Sequence, residues 1–543
     1  MLISINSSRI ENTKGFKEYQ FHGLTVYYSG LIFASGKKQG EESLRYITEK
    51  YMSGEIPFRE IYGSYALIIK DDEKIMVFSD NSNMHGIFIS EQFIGSNLVE
   101  IARNIGGKLY DKAICEYLTF ARPIWTDSLV QGVSKLESDK YVVLSRGGIE
   151  RQNKHIGTIE EASLISNPKE FFKSFVYAIK DCRVITALTG GYDSRLVSCV
   201  YNYYSHGDCF ISGDNTKGED IKCSKKTAEA AGFQWKQIIP PNPQLDGDEL
   251  IQKLYRTGEY KVEINTSGYR IAYFMSQLSK EYDILLTGDA GDMHKGFWDI
   301  RKIPFYPRGL RADMKKFARK YFIVLSNKKY LGENLNHVFT SLEHDTYKKF
   351  DEMRRKTVMK SCLYAGWSDW IPAGLRYTEA TSPIQYSPLQ ELELVKYSYG
   401  ITPKGKHMNM FHRKLISYYN QSASKVKTIY RTTCSDKPID ICLDVFRMTG
   451  FYGELIIKYM IRKIFHVKTY VNQYVNRMDL TSKIRESNLA ARSVEWAQNQ
   501  GYIKLEYSKD TLPEGILGKI IYLYLLEKDI KIRIVGQDQQ IDE

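Results

Sequence analysis

The eight residues Leu188-Thr189-Gly190-Gly191-Tyr192-Asp193-Ser194-Arg195 have the types and spacing to hold a phosphate. Two adjacent glycines let the backbone come close to an anion with no side chain in the way. Ser194 and its neighbours offer N–H groups at a helix start, where the helix dipole adds partial positive charge. No lysine follows the second glycine, so this is not the Gly-Lys-Ser/Thr loop of P-loop proteins. An aspartate, Asp193, stands inside the loop instead. A carboxylate within an anion site makes sense if a divalent metal bridges it to the phosphate.

These side chains need a strand before them and a helix after. Residues 184–188 read as a buried strand and 196–204 as a helix. From about 165 to 450 strand and helix alternate, which predicts an open parallel α/β sheet with ligands at the carboxyl ends of its strands. Residues 208–213 read as the second strand, 219–231 as a helix closed by Gly232, and 283–286 as a further strand. Residues 1 to about 155 are strand-rich instead. Runs at 24–28, 65–69 and 74–78 are β-branched or aromatic, and residues 70–73 make a hairpin turn between the last two.

With 543 residues the chain is long enough for two or three domains, and 43% hydrophobic against 26% charged residues makes it folded rather than disordered. The net charge of +12 is partly local: ten Lys or Arg lie between Arg301 and Gly332 against one acid, Asp313. That tract reads as a solvated basic helix face, and it is the first place to look for an anionic partner. Eight cysteines without a Cys-x-x-Cys argue against zinc ribbons and thioredoxin-type sites and suit free thiols in a reducing compartment. The N-terminus is too short for a signal peptide and no run of about 18 apolar residues occurs, so a cytoplasmic protein is expected.

The loop at 188–195 resembles the Ser-Gly-Gly-x-Asp-Ser loop of N-type ATP pyrophosphatases, with Thr189 keeping the first hydroxyl. A second resemblance lies upstream. Gly63-Ser64-Tyr65-Ala66-Leu67 and Ser79-Asp80 resemble blocks of class II glutamine amidotransferase domains, and residues 111–118 and 129–136 resemble the helix and strand that close this domain in asparagine synthetases. Both halves stand in the order of the asparagine synthetase-like family. The resemblance implies a mixed α/β and α+β chain: an Ntn-hydrolase-like β-rich sandwich (1–160), a parallel-sheet ATP pyrophosphatase domain of the adenine nucleotide α-hydrolase-like type (161–450) and a helical C-terminal extension (451–543).

It also implies a set of site residues. Leu188, Thr189, Gly190, Gly191, Asp193 and Ser194 would cradle the phosphates of ATP; Ile211, Ser212 and Gly213 are candidate adenine neighbours. Thr287-Gly288-Asp289-Ala290-Gly291-Asp292 looks like the family's Ser-Gly-Glu-Gly-Ala-Asp, so Gly288 would let backbone approach the nucleotide, and Asp193 and Asp292 would hold Mg²⁺. Glu379 falls where the family orients the attacking amine and accepts its proton. Gly405-Lys406 and Phe411-His412-Arg413 resemble the block before the final catalytic segment. There the family ends in Arg-x-Lys, whereas this chain has Arg431-Thr432-Thr433, which leaves Arg431 or Lys427 to meet the charge of departing pyrophosphate.

The departures matter as much. Class II glutaminases use an N-terminal cysteine, and this chain begins Met1-Leu2. The block that holds glutamine survives only as residues 29–34, with one glycine and neither asparagine nor glutamate. The expectation is an AMP-forming amide ligase that does not hydrolyse glutamine, acting on a small-molecule or peptide carboxylate and on ammonia or an amine. The alternatives are an intramolecular cyclase, similar to lasso-peptide cyclases and β-lactam synthetases, and an ATP-binding protein without turnover. A nucleic-acid partner is not expected, since tRNA-modifying relatives lack the N-terminal remnant and usually carry paired cysteines. A homodimer or a pathway partner fits equally. Residues 455–465 read as a basic amphipathic helix for a membrane surface, a partner or docking.

Overall fold

A computed structural model describes residues 1–82, 84–120, 128–146, 148–159, 161–212, 218–257, 264–295, 318–319, 323–353, 383–401, 403–465 and 480–538. Glu379, Gly213 and most of the basic tract at 301–332 lie outside them. The described residues form a mixed α/β structure with two antiparallel sheets, one parallel sheet and a helical C-terminal part.

Alternation builds the N-terminal sandwich. In the strand Ile61–Lys70, Ala66 and Ile68 face a core shared with Ile3, Ile89 and Ile94 of the five-stranded sheet, while Leu67 and Ile69 face the helix side with Leu44 and Ile47. The six-stranded sheet runs in the order Gly148–Asn153, Lys140–Ser145, Lys74–Ser79, Ile61–Lys70, Leu24–Ala34, Lys17–Phe21. The pair Ile61–Lys70 and Leu24–Ala34 requires glycine at two positions. Gly30 and Gly63 have φ of +93° and +123°, and a Cβ on either would lie about 2 Å from a carbonyl oxygen of the opposite strand, Ser64 or Leu31. Gly30 therefore serves strand packing, and its neighbours Leu31, Ile32 and Phe33 are fully buried apolar side chains.

Phe33 and Tyr62 carry that sheet onto the parallel-sheet domain, packing against Phe171, Phe175 and Tyr386. Polar groups lock the same junction. Arg59 forks onto Glu393 at 2.8 and 3.0 Å, and Glu391 Oε1 accepts from Gly63 N at 2.9 Å and Tyr386 Oη at 2.7 Å. Burial pushes the Glu391 carboxyl up to about 8. An unfolded glutamate titrates near pH ~4.3. The folded chain thus keeps a proton that the unfolded chain has released, and the stability from this group is full below the lower value and is lost as pH rises through the upper one. Glu391→Gln keeps the acceptor and removes the titration. Its unfolding free energy, from urea melts, is expected to gain on the wild type by up to about 3 kcal/mol between pH ~5.5 and ~8.5; parallel pH profiles would refute this.

The C-terminal helices complete the N-terminal core instead of standing apart. The helix Glu514–Asp538 places Ile516, Ile520 and Tyr522 in one cluster with Ile114, Tyr117 and Leu118. Lys519 Nζ donates to Tyr117 O at 2.5 Å, Arg103 pairs with Asp529 at 2.8 Å, and Tyr255 and Thr266 of the parallel-sheet domain bond Asp529 and Glu514. The helix Pro438–Phe465 runs through residue 450. Ile439, Phe446, Ile456 and Ile457 on that helix are more than half exposed. Among the described residues no helix is long and apolar enough to cross a membrane.

Candidate functional site

The parallel sheet has the order Gln234–Ile238, Asp208–Ser212, Val184–Ala187, Ile284–Leu286, Ile384–Tyr386. From Val184–Ala187 the chain builds outward on one side and then returns to continue on the other. The order therefore reverses between Val184–Ala187 and Ile284–Leu286, and a crevice opens beyond their carboxyl ends. The two acidic loops leave these two strands.

The first loop is pinned by its own side chains. Ser194 Oγ accepts from Thr189 N at 3.0 Å and lies 2.8 Å from Thr189 Oγ1, which in turn accepts from Gly191 N at 3.3 Å. Asp220 takes the Gly190 amide at 2.9 Å, and Ile429 N donates to Gly190 O at 3.2 Å. The helix starts at Asp193 and runs to Tyr204, three residues before the expected start, so Asp193 and Ser194 form its first turn. Arg195, fully buried, fixes that turn by donating to Ala423 O at 3.1 Å and Val426 O at 2.6 Å. Leu188 is buried against Cys209 and Ala228.

The second loop lies directly on the first. A Cβ on Gly288 would be 2.4 Å from Ser194 N, and one on Gly291 would be 2.3 Å from Asp193 Cγ. Between them Ala290 adopts a left-handed φ of +63° that an alanine rarely takes. This contact brings Asp193 and Asp292 to one cation, the ammonium of Lys295, at 2.5 and 3.2 Å. Burial works against the Asp193 charge, yet Lys295 and His412 outweigh it and hold the carboxyl well below the usual range. Burial likewise disfavours the Lys295 ammonium, and the two carboxylates outweigh that and raise it. His412 Nε2 lies 2.8 Å from Asp193 Oδ1 without the alignment of a hydrogen bond, so Oδ1 and both ring nitrogens are buried with no hydrogen-bond partner among the described residues. Burial also keeps His412 on the neutral side of its ordinary titration.

An orphaned carboxylate oxygen beside a second carboxylate fits a hard divalent ion. Among the described residues no three His, Cys, Asp or Glu side chains gather as a metal site. Two carboxylates with the remaining positions left to phosphate and water is how Mg²⁺ is commonly held.

Beside the loops is a cavity of about 360 Å³. Its polar rim is Thr189, Gly191, Asp193, Ser194, Thr287, Gly288, Asp289 and Gln385; its apolar walls are Ala187, Phe210, Ile271, Phe274, Met275 and Leu285. Asp289 accepts from Thr287 Oγ1 at 2.6 Å and Gln385 Nε2 at 3.0 Å. Ile271, Phe274 and Met275 come from one face of the helix Thr266–Leu278, an i, i+3, i+4 stripe whose apolar spacing is visible in the sequence. On the strand Asp208–Ser212, Phe210 lines the cavity and Ile211, the expected adenine neighbour, is buried without reaching it. Period-two alternation sends neighbouring strand residues to opposite faces.

The residues expected to meet pyrophosphate flank Ile429, whose N donates to Gly190 O of the loop. Thr433 turns inward and donates through N and Oγ1 to the buried Asp444, which also holds Arg413 at 2.8 Å. Arg431 is exposed and paired with Glu454 at 2.7 Å. Lys427 has an exposed side chain, and its carbonyl accepts from Arg195. Sequence reading missed Lys295 and His412; the signal available was a lysine three residues after Asp292, a spacing at which helical side chains meet.

No protein-family model and no curated protein matches the chain. Among solved structures it matches glutamine phosphoribosylpyrophosphate amidotransferase from B. subtilis, complexed with ADP and GMP, at 12% identity over 41% of this chain, with a TM-score of 0.15. The match spans 47%, about half, of that enzyme's length.

Proposed function

We propose that the crevice binds Mg·ATP and that the protein is an asparagine synthetase-like ligase, joining a carboxylate to an amine with release of AMP and pyrophosphate. The observation that carries this reading is the placement of Asp193 and Asp292, from two loops at the switch point of a parallel sheet, on one half-buried cation beside a cavity with an apolar slot. Phe210, Ile271, Phe274 and Met275 would take the flat base. Thr189, Gly191, Ser194 and the helix start behind them would orient the phosphates. Asp193 and Asp292 would hold Mg²⁺, which supplies neutralisation of phosphate charge when bound. A carboxylate oxygen bonds the α-phosphorus as the α–β bridge breaks and pyrophosphate leaves; the amine then bonds the acyl carbon, loses its proton and expels AMP. Glu379 remains the candidate acceptor of that proton.

The N-terminal sandwich is read as a glutaminase-like remnant of the Ntn type without glutamine chemistry. Its support is local: Leu31, Ile32 and Phe33 fill the place of the polar clamp. An amine within the substrate itself would make the enzyme a cyclase.

The test is release of AMP and pyrophosphate from Mg·ATP by the full chain, with aspartate and ammonium and then with carboxylate-bearing cell fractions. Stimulated release of both products is expected, with no glutamate formed from glutamine. Tight ATP binding with no AMP in any fraction would instead mark a nucleotide-binding protein that has lost its chemistry.

A further inference from the structure

We propose that Lys295 is the cation that receives the pyrophosphate leaving group, held between Asp193 and Asp292 until nucleotide arrives. The proposal rests on the nucleotide-binding reading above and names the residue that meets the charge there. Three observations carry it. First, two of the residues in the segment after Lys427 already have partners: Thr433 donates to Asp444 and Arg431 pairs with Glu454. Second, Lys295 is in place already, its ammonium 2.5 Å from a carboxylate that lines the cavity and its side chain only 16% exposed. Third, the two carboxylates Asp193 and Asp292 outweigh the single ammonium they share.

Two carboxylates and one ammonium leave the cluster with one net negative charge. That charge opposes a polyphosphate, whose approach in a weakly solvated crevice is governed by the nearest ions. A divalent cation between the carboxylates reverses the sign and leaves the ammonium surplus. Its flexible stem and three donors then suit a point contact to phosphate oxygens. Lys295 thus serves twice, as the counter-ion shared by Asp193 and Asp292 before nucleotide arrives and as a phosphate ligand afterwards. A consequence is that polyphosphate alone binds poorly and polyphosphate with metal binds well.

Calorimetry on the full chain tests this with two probes, pyrophosphate plus Mg²⁺ and AMP. In Lys295→Ala and Lys295→Gln, affinity for Mg·pyrophosphate is expected to fall by ~10-fold or more, the loss of one charge-assisted contact, while AMP affinity stays close to that of the wild type. Lys295→Arg is expected to recover most of the loss. AMP binding also reports that each variant has folded, and the Arg and Gln variants keep the test open if the alanine variant does not fold. Unchanged pyrophosphate affinity in Lys295→Gln, or an equal loss for both probes, overturns the proposal; so does a fall in Arg431→Ala as large as in Lys295→Ala. A wild-type chain that binds AMP but no pyrophosphate overturns this inference alone, whereas one that binds neither overturns the nucleotide reading with it.

Discussion

Asp193→Asn is expected to lower Mg·ATP-dependent AMP release by ~10³-fold or more, the scale seen when one electrostatic stabiliser of phosphoryl chemistry is removed. The substitution keeps the shape and the position at the first turn of the helix Asp193–Tyr204 and takes away one charge. Lys295 then faces Asp292 alone, at 3.2 Å. The pair that would hold the metal becomes a single carboxylate, which weakens the hold on Mg²⁺. Stability is expected to change less than activity, because the variant still fills the space beside His412 and Gly291. The weakened ion pair is expected to cost about 1–3 kcal/mol. Product release followed by chromatography, with a thermal melt alongside, checks both parts. Activity within tenfold of the wild type would remove Asp193 from the chemistry.

Gly288→Ala is expected to be nearly as damaging by a different route. Its Cβ would meet Ser194 N at 2.4 Å, Asp193 C at 2.7 Å and Ser194 Cα at 2.8 Å, all backbone. None of these can turn aside as a side chain does. The helix cannot slide away either, since Arg195 ties it to the carbonyls of Ala423 and Val426. The two acidic loops must therefore part. That separates Asp193 from Asp292 and costs about 1–3 kcal/mol or somewhat more by overpacking. Nucleotide affinity is expected to fall by ~100-fold. Gly191→Ala is the comparison: its Cβ would sit 3.5 Å from Thr189 Oγ1, an ordinary contact, so stability should hold while affinity falls because a side chain enters the phosphate cradle. Denaturant melts and ATP titrations of the two variants separate steric loss from a general intolerance of the loop.

The loop and its carboxylates were legible because they are local. Asp193, Gly288 and Asp292 stand at strand ends that apolar runs announce, and the helix expected at 219–231 is the helix Glu219–Ala231 found. What the sequence hid is of three kinds. The first turn of the helix after the loop is polar, Asp193-Ser194-Arg195, so apolar periodicity begins only at Leu196. The strand expected over 129–136 is reduced to Ser134–Lys135 and a single bridge at Val130, because Gly132 turns the chain with φ of +75°. Lys295 and His412 meet Asp193 across long stretches of chain, and no periodicity reports a contact between segments so far apart. The same holds for Asp444, one of three acids on the helix Pro438–Phe465, which turns Thr433 and Arg413 inward.

The clasp between the helix Glu514–Asp538 and the N-terminal sandwich sets an order of events during synthesis. Lys519 lies 402 residues beyond Tyr117, whose carbonyl it binds. A ribosome adding about 5–20 residues per second needs roughly 20–80 s to cover that distance. For that interval the face formed by Ile114, Tyr117 and Leu118 has no cover from this helix. The sandwich is therefore begun first and closed last, and chains released before Glu514 should be the ones that chaperones retain and proteases cut.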